Sequence, residues 1–82
     1  MEKESTSLAR LKIGQRAVID SFSDNQMALR LLEMGCIPGE VVEVNNIAPL
    51  GDPIAIRVSG YLLSLRKAEA SAVMVSLTAI NN

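Results

Sequence analysis

The side chains able to do chemistry are few in this chain, and they are scattered. Its 82 residues include one cysteine, Cys36, and no histidine, so the commonest general acid–base group and the commonest transition-metal ligand are both missing. Cys36 has the soft sulfur that iron or a redox reaction would use, but no second thiol and no imidazole is there to complete a site. A buried free cysteine behaves as a small apolar residue, and that is the reading adopted. Among hard ligands, Asp20, Asp24 and Asp52 fall in three separate segments and lack the close spacing of a calcium loop. Asp24 reads instead as an acid near the positive end of a helix, and Asp52 as a turn residue ahead of Pro53. No catalytic residue, metal or cofactor is expected.

Charge and composition exclude further classes. The 8 basic and 9 acidic residues, with a pI near 5.3, offer no electrostatic reason to seek a nucleic-acid backbone or an anionic lipid surface. Phe22 and Tyr61 are the only aromatics, too few to build a base-stacking platform. One cysteine forbids an internal disulfide, no signal peptide is recognisable, and no apolar run approaches the ~20 residues that cross a bilayer. A cytoplasmic protein with no nucleic-acid partner and no direct membrane insertion is expected. So short a chain holds one core and hides only about 60% of its extended-chain surface.

The elements that position these residues are organised around a corner at residues 30–39, Arg-Leu-Leu-Glu-Met-Gly-Cys-Ile-Pro-Gly. A helix is predicted to start at Ser23, in a capping box with Gln26 and a hydrophobic staple between Phe22 and Met27. Met27, Ala28, Leu31 and Leu32 recur at helical spacing, leaving Asn25, Arg30 and Glu33 toward water, with Arg30 and Glu33 a weak surface pair. Gly35 suits the left-handed position that ends the helix, with Cys36 folding back on Leu31 in a Schellman motif. Pro38 and Gly39 then set the central dihedrals of a turn that launches a strand. Leu31, Gly35, Cys36, Pro38 and Gly39 are thus the structural corner.

Before it, residues 1–7 are polar and without period, and are predicted to be a disordered tail. Ser7 is placed to cap a short helical turn carrying Leu8 and Leu11 and ended by Gly14. Arg16–Phe22 reads as a strand with Ala17 and Ile19 on one face and a bulge before the helix. After the corner, Val42 and Val44 alternate inward. Ile54, Ile56 and Val58, then Tyr61, Leu63 and Leu65, form a hairpin around Ser59-Gly60. Residues 66–72 close one helical turn, and Val73, Val75 and Leu77 alternate in a last strand. The prediction is a mainly β fold, a small closed barrel of about five strands with the helix inserted between the first two, because closure removes exposed edges. The domain spans residues 8–79, with 80–82 a C-terminal tail.

One stretch does not fit a plain loop. Residues 45–53, Asn-Asn-Ile-Ala-Pro-Leu-Gly-Asp-Pro, are rich in turn formers yet carry Ile47 and Leu50. A branched aliphatic at a loop tip gains nothing unless it packs inward on its own barrel or outward on another molecule. Both readings of Leu50 stand.

Three blocks resemble the FeoA family, small cytosolic partners of the bacterial ferrous-iron transporter FeoB. They are Leu8 with Leu11 and Gly14; residues 30–39; and Ala48-Pro49-Leu50-Gly51-Asp52-Pro53-Ile54 followed by Gly60, Leu65-Arg66-Lys67 and Glu69-Ala70. Cys36 departs from the plain aliphatic usual in the family. The resemblance implies an SH3-like barrel and a non-enzymatic module that docks on the cytosolic region of FeoB and assists or regulates it. It also tilts Ile47, Pro49, Leu50 and Asp52 toward a partner-binding surface. In a partner of a GTPase, Arg30, Arg57 or Arg66 would be the candidates for an arginine finger, against the plainer reading of surface solvation. Two alternatives accompany the main reading: a GTPase activator of the transporter, and a self-associating regulatory domain working with a metal-dependent transcriptional repressor. The family barrel also occurs in such repressors, and a homo-oligomer is compatible with either.

Overall fold

Period-two alternation of apolar residues builds the sheet. The computed structural model describes residues 4–77. Its strands are β1 (Ser5–Ser7), β2 (Arg16–Phe22), β3 (Val41–Ile47), β4 (Ile54–Val58), β5 (Tyr61–Leu65) and β6 (Val73–Ser76). They lie in the order β1-β6-β2-β3-β4-β5, each neighbouring pair antiparallel. Helix α1 (Asn25–Met34) joins β2 to β3, a 3-10 turn (Leu8–Arg10) follows β1, and the short helix α2 (Lys67–Ser71) precedes β6.

The inward residues are those the alternation selects. Ala17 and Ile19 of β2, Val42 and Val44 of β3, Ile54, Ile56 and Val58 of β4, and Val73 and Val75 of β6 are all buried. Each aliphatic side chain removed from water contributes about 1.5–3 kcal/mol before the entropy of ordering it is counted. Leu8 and Leu11 close one end of this core, with the Leu11 N–H donating to the Leu8 carbonyl at 3.1 Å. Ser7 precedes that turn without making a side-chain cap. The expected bulge is present: pairing of β2 with β6 shifts between Ile19 and Ser21, which carries Phe22 back against the core. Ser59 and Gly60, at φ 51° and 81°, make the two-residue turn with both dihedrals positive that matches the twist of the β4–β5 hairpin.

Two features depart from the prediction. Ser5, Thr6 and Ser7 pair with Ser76, Val75 and Met74, so they form a strand rather than part of a tail, and α1 lies between the second and third strands. A ladder of backbone bonds holds β1, and a run of serine and threonine gives no apolar alternation from which to read it. The sheet also remains open, since β1 and β5 each have a single neighbour. The 3-10 turn and α2 pack on each other, and α2 on β5 and β6. The remaining tail positions, residues 1–3 and 80–82, and the last expected domain residues, 78 and 79, lie outside the described residues.

Candidate functional site

Helix α1 is fixed at both ends. Asp24 is its cap, with extended backbone and a side-chain Oδ1 that accepts the Gln26 N–H at 2.9 Å. Ser23, the expected cap, instead donates its backbone N–H to Ala72 at 2.9 Å, so that bond ties it to the chain leading into β6 and the helix starts one residue later. At the other end Gly35 sits at φ 114°. The Cys36 N–H reaches the Leu31 carbonyl at 2.9 Å and the Gly35 N–H the Leu32 carbonyl at 3.1 Å, the two bonds of a Schellman motif. The Glu40 N–H donates to the Ile37 carbonyl at 3.0 Å across Pro38 and Gly39, whose φ of 98° supplies the positive dihedral. Gly39 and Ile19 complete the clip to β2, the Gly39 N–H meeting the Ile19 carbonyl at 2.8 Å.

The apolar stripe of α1 is narrower than predicted. Met27, Leu31 and Met34, spaced four and three residues, pack on the core. Leu32, about 100° further round the helix than Leu31, is exposed. Arg30 does not pair with Glu33. Its Nη1 donates to Glu69 Oε2 of α2 at 3.0 Å, while Glu69 Oε1 accepts the Arg66 N–H at 2.8 Å. Glu69 is thus a buried carboxylate stitching α1 to the start of α2. Burial pushes the Cys36 thiol above its ordinary value, with the Glu69 charge adding to the effect, so the thiol stays protonated and poorly nucleophilic.

The stretch 47–53 separates the four residues assigned to a contact surface, Ile47, Pro49, Leu50 and Asp52. Ile47 ends β3 opposite Ile54 and is half-buried against the core. The Ala48 carbonyl accepts the Gly51 N–H at 2.7 Å, and the Ala48 N–H meets the Pro53 carbonyl at 3.0 Å, so Pro49 and Leu50 occupy the middle of a turn with proline at its first central position. Leu50 is 94% exposed. Asp52 faces the other way, its Oδ1 accepting the Lys67 N–H at 3.0 Å and fastening the loop to the first turn of α2. Pro49 and Leu50 alone make the projecting tip.

A second apolar surface escaped the sequence reading. Along β5, Leu65 is buried and Leu63 half-buried, but Tyr61 is 70% exposed. With Ile37, Met34 and Leu63 it lines a groove of about 360 Å³. Strict alternation placed all three β5 residues on one face; it carried no information about how far the opposite wall extends. Ile37 and Tyr61, both exposed, line this groove, and neither the helical spacing nor the strand alternation carries their exposure. Among the described residues there is no group of three or more His, Cys, Asp or Glu side chains placed to hold a metal. No helix there is long and apolar enough to cross a membrane.

Comparison with known proteins agrees with this geometry. The model of the FeoA domain matches residues 6–77. Over 75 residues the chain is 36% identical to a fusion protein of Fe(2+) transport protein A and Fe(2+) transporter FeoB from Porphyromonas gingivalis, covering 90% of this chain and 9% of that one. The chain therefore spans under a tenth of that relative's length. In structure it resembles an FeoA-like protein from Clostridium acetobutylicum, with a TM-score of 0.86 at 30% identity over 100% of this chain and 95% of the other. It also resembles the FeoA of Stenotrophomonas maltophilia, described as an SH3 domain protein in complex with zinc, with a TM-score of 0.75 at 32% identity over 85% and 88% of the two chains. A barrel-like sheet with one inserted helix, the glycine-proline corner and a family match across nearly all of the described residues lead to one assignment: the chain belongs to the FeoA family of ferrous-iron transport proteins, and its fold is SH3-like.

Proposed function

We propose that this chain is a non-enzymatic, cytoplasmic interaction module that docks on the cytosolic part of a FeoB-type transporter and adjusts ferrous-iron uptake. The observation that carries this reading is the fused relative, in which a homologue of this chain and a FeoB portion share one polypeptide. A covalent link raises the effective concentration of two parts that act together. The contact is made by the tip of the 48–53 loop, with Leu50 as its anchor and Pro49 beside it. Ile47 and Asp52 support it from behind, through the core and through α2. Leu50 at 94% exposure has apolar area to remove from water, and a turn closed by two backbone bonds loses little entropy when it docks.

Isothermal titration of the purified chain against the soluble cytosolic region of the transporter tests this. Saturable binding of one chain per transporter region is expected. The absence of any heat, together with no co-elution on a sizing column, would overturn the proposal.

A further inference from the structure

The β5 strand is a sheet edge as well as one wall of a groove. Tyr61 pairs with Val58 across the two-residue turn, and Leu63 and Leu65 pair with Ile56 and Ile54. In a hairpin of this type these residues exchange the hydrogen bonds with β4, so the N–H and C=O groups of Leu62 and Ser64 point away from it. Among the described residues no strand lies on that side. Neither residue makes another backbone bond among the described residues. Two donors and two acceptors are therefore presented at strand spacing.

Two depressions that share Met34 include β5 in their walls, one lined by Met34, Ile37, Tyr61 and Leu63 with Val58 and Ser59 of the hairpin, the other by Met34, Ser64, Arg66, Asp52 and Glu69. The first, at the Tyr61 end, is apolar, and the second, at the Arg66 end, is polar. At the polar end Glu69 is paired with Arg30 and accepts the Arg66 N–H, while Asp52 accepts the Lys67 N–H. The Arg66 guanidinium has no hydrogen-bond partner among the described residues.

We propose that the free edge of β5, with the two depressions at its ends, takes an extended segment of a partner protein as an added strand, its aliphatic side chains against Met34, Ile37 and Leu63 and a carboxylate at Arg66. The edge supplies the main-chain bonds and the depressions the side-chain selection, the division of labour in strand addition. A second copy of this chain fits less well. Its own β5 and the residue after it read Tyr-Leu-Leu-Ser-Leu-Arg, and in the antiparallel pairing of a two-fold dimer they bring no acid to Arg66. The inference stands apart from the docking of the 48–53 loop on a transporter and needs no transporter to test.

Three blocked seven-residue synthetic peptides, alternating valine and threonine and ending in Asp, Asn or Lys, are titrated into the full isotope-labelled chain. The Asp peptide should move the amide resonances of Leu62 and Ser64 and bind about fivefold more tightly than the Asn peptide, the scale of an exposed ion pair, with the Lys peptide weakest. Ser64→Pro removes one outward donor at a position that gives no bond to β4 and should abolish binding with an unchanged melt. Arg66→Glu, which leaves the strand intact, should invert the order of the Asp and Lys peptides, and it decides the matter should Ser64→Pro fail to fold. Absence of shifts at β5 with all three peptides at millimolar concentration overturns the proposal, as does equal binding of the Asp and Lys peptides. Concentration-dependent dimerisation through the same resonances, measured by sedimentation, assigns the edge to a second copy and overturns it too.

Discussion

Replacing Glu69 by alanine should destabilise the domain far more than replacing its ion-pair partner Arg30. Glu69 is 8% exposed, and its two carboxylate oxygens are used differently: Oε1 caps the Arg66 N–H at 2.8 Å and Oε2 accepts from Arg30 at 3.0 Å. The Arg30 side chain is 63% exposed, so the pair is screened on one side and contributes at most about 1 kcal/mol. Alanine at Glu69 also strips the Arg66 N–H of its acceptor, about 1 kcal/mol on the scale of helix caps. It removes buried methylene as well, at about 0.8 kcal/mol per group. The sum is about 2–3 kcal/mol for Glu69→Ala against less than about 1 for Arg30→Ala. In a domain of this size each kcal/mol moves the melting midpoint by roughly 4–8 °C. Thermal melts should therefore fall by about 10–20 °C for Glu69→Ala and by at most a few degrees for Arg30→Ala, with Glu69→Gln close to Arg30→Ala because glutamine keeps an acceptor and the stem. Equal losses for Glu69→Ala and Arg30→Ala, or a Glu69→Gln loss as large as the alanine one, would refute the assignment of Glu69 as a cap first and a charge partner second.

Three further outcomes are expected. Leu31→Ala, at a side chain with no exposure, should cost about 2–5 kcal/mol in urea denaturation; an unchanged midpoint at unchanged slope contradicts the core assigned to α1. Gly35→Ala should cost about 1–2 kcal/mol from its φ of 114° alone, since the added Cβ would meet only Leu63 Cδ1, at 3.7 Å, and a gain in stability by alanine would refute the left-handed cap. Because burial, and secondarily Glu69, raise the Cys36 thiol above its ordinary 9.0, the folded chain keeps a proton that the unfolded chain releases near that pH. That contribution to stability is complete below about pH 9 and declines as pH rises past it, so denaturation midpoints should fall more steeply with pH in the parent than in Cys36→Ala. Parallel slopes would contradict a buried, protonated thiol.

The parts legible in the sequence were those where one residue type meets a local geometric demand. Gly35, Pro38 and Gly39 announce their dihedrals, Ser59-Gly60 announces a tight turn, and valines and isoleucines two apart announce an inward face. Asp24 and Ser23 are both good caps one residue apart, and the bond from Ser23 to Ala72, 49 positions away, decides between them. The Arg30–Glu69 pair spans 39 positions, whereas reading along the helix offers only Glu33. Leu50 could be recognised as out of place in a loop, but its direction depends on how 48–53 is fastened to α2 through Asp52. The β5 edge was invisible for a related reason: the hairpin can be read locally, while the empty side of a strand depends on the order of the whole sheet.

The most direct test of the docking account is the affinity of the Leu50→Asp variant for the cytosolic region of the transporter, measured by titration calorimetry beside a thermal melt of the same sample. The side chain is 94% exposed, and an exposed substitution of this kind changes stability by no more than about 0.5 kcal/mol. A central anchor, by contrast, contributes about 2 kcal/mol or more to binding, or roughly thirtyfold in Kd. The account predicts binding weakened by at least that factor with an unchanged melt. Full affinity in a fully folded Leu50→Asp protein would contradict it and place the interface elsewhere on the domain.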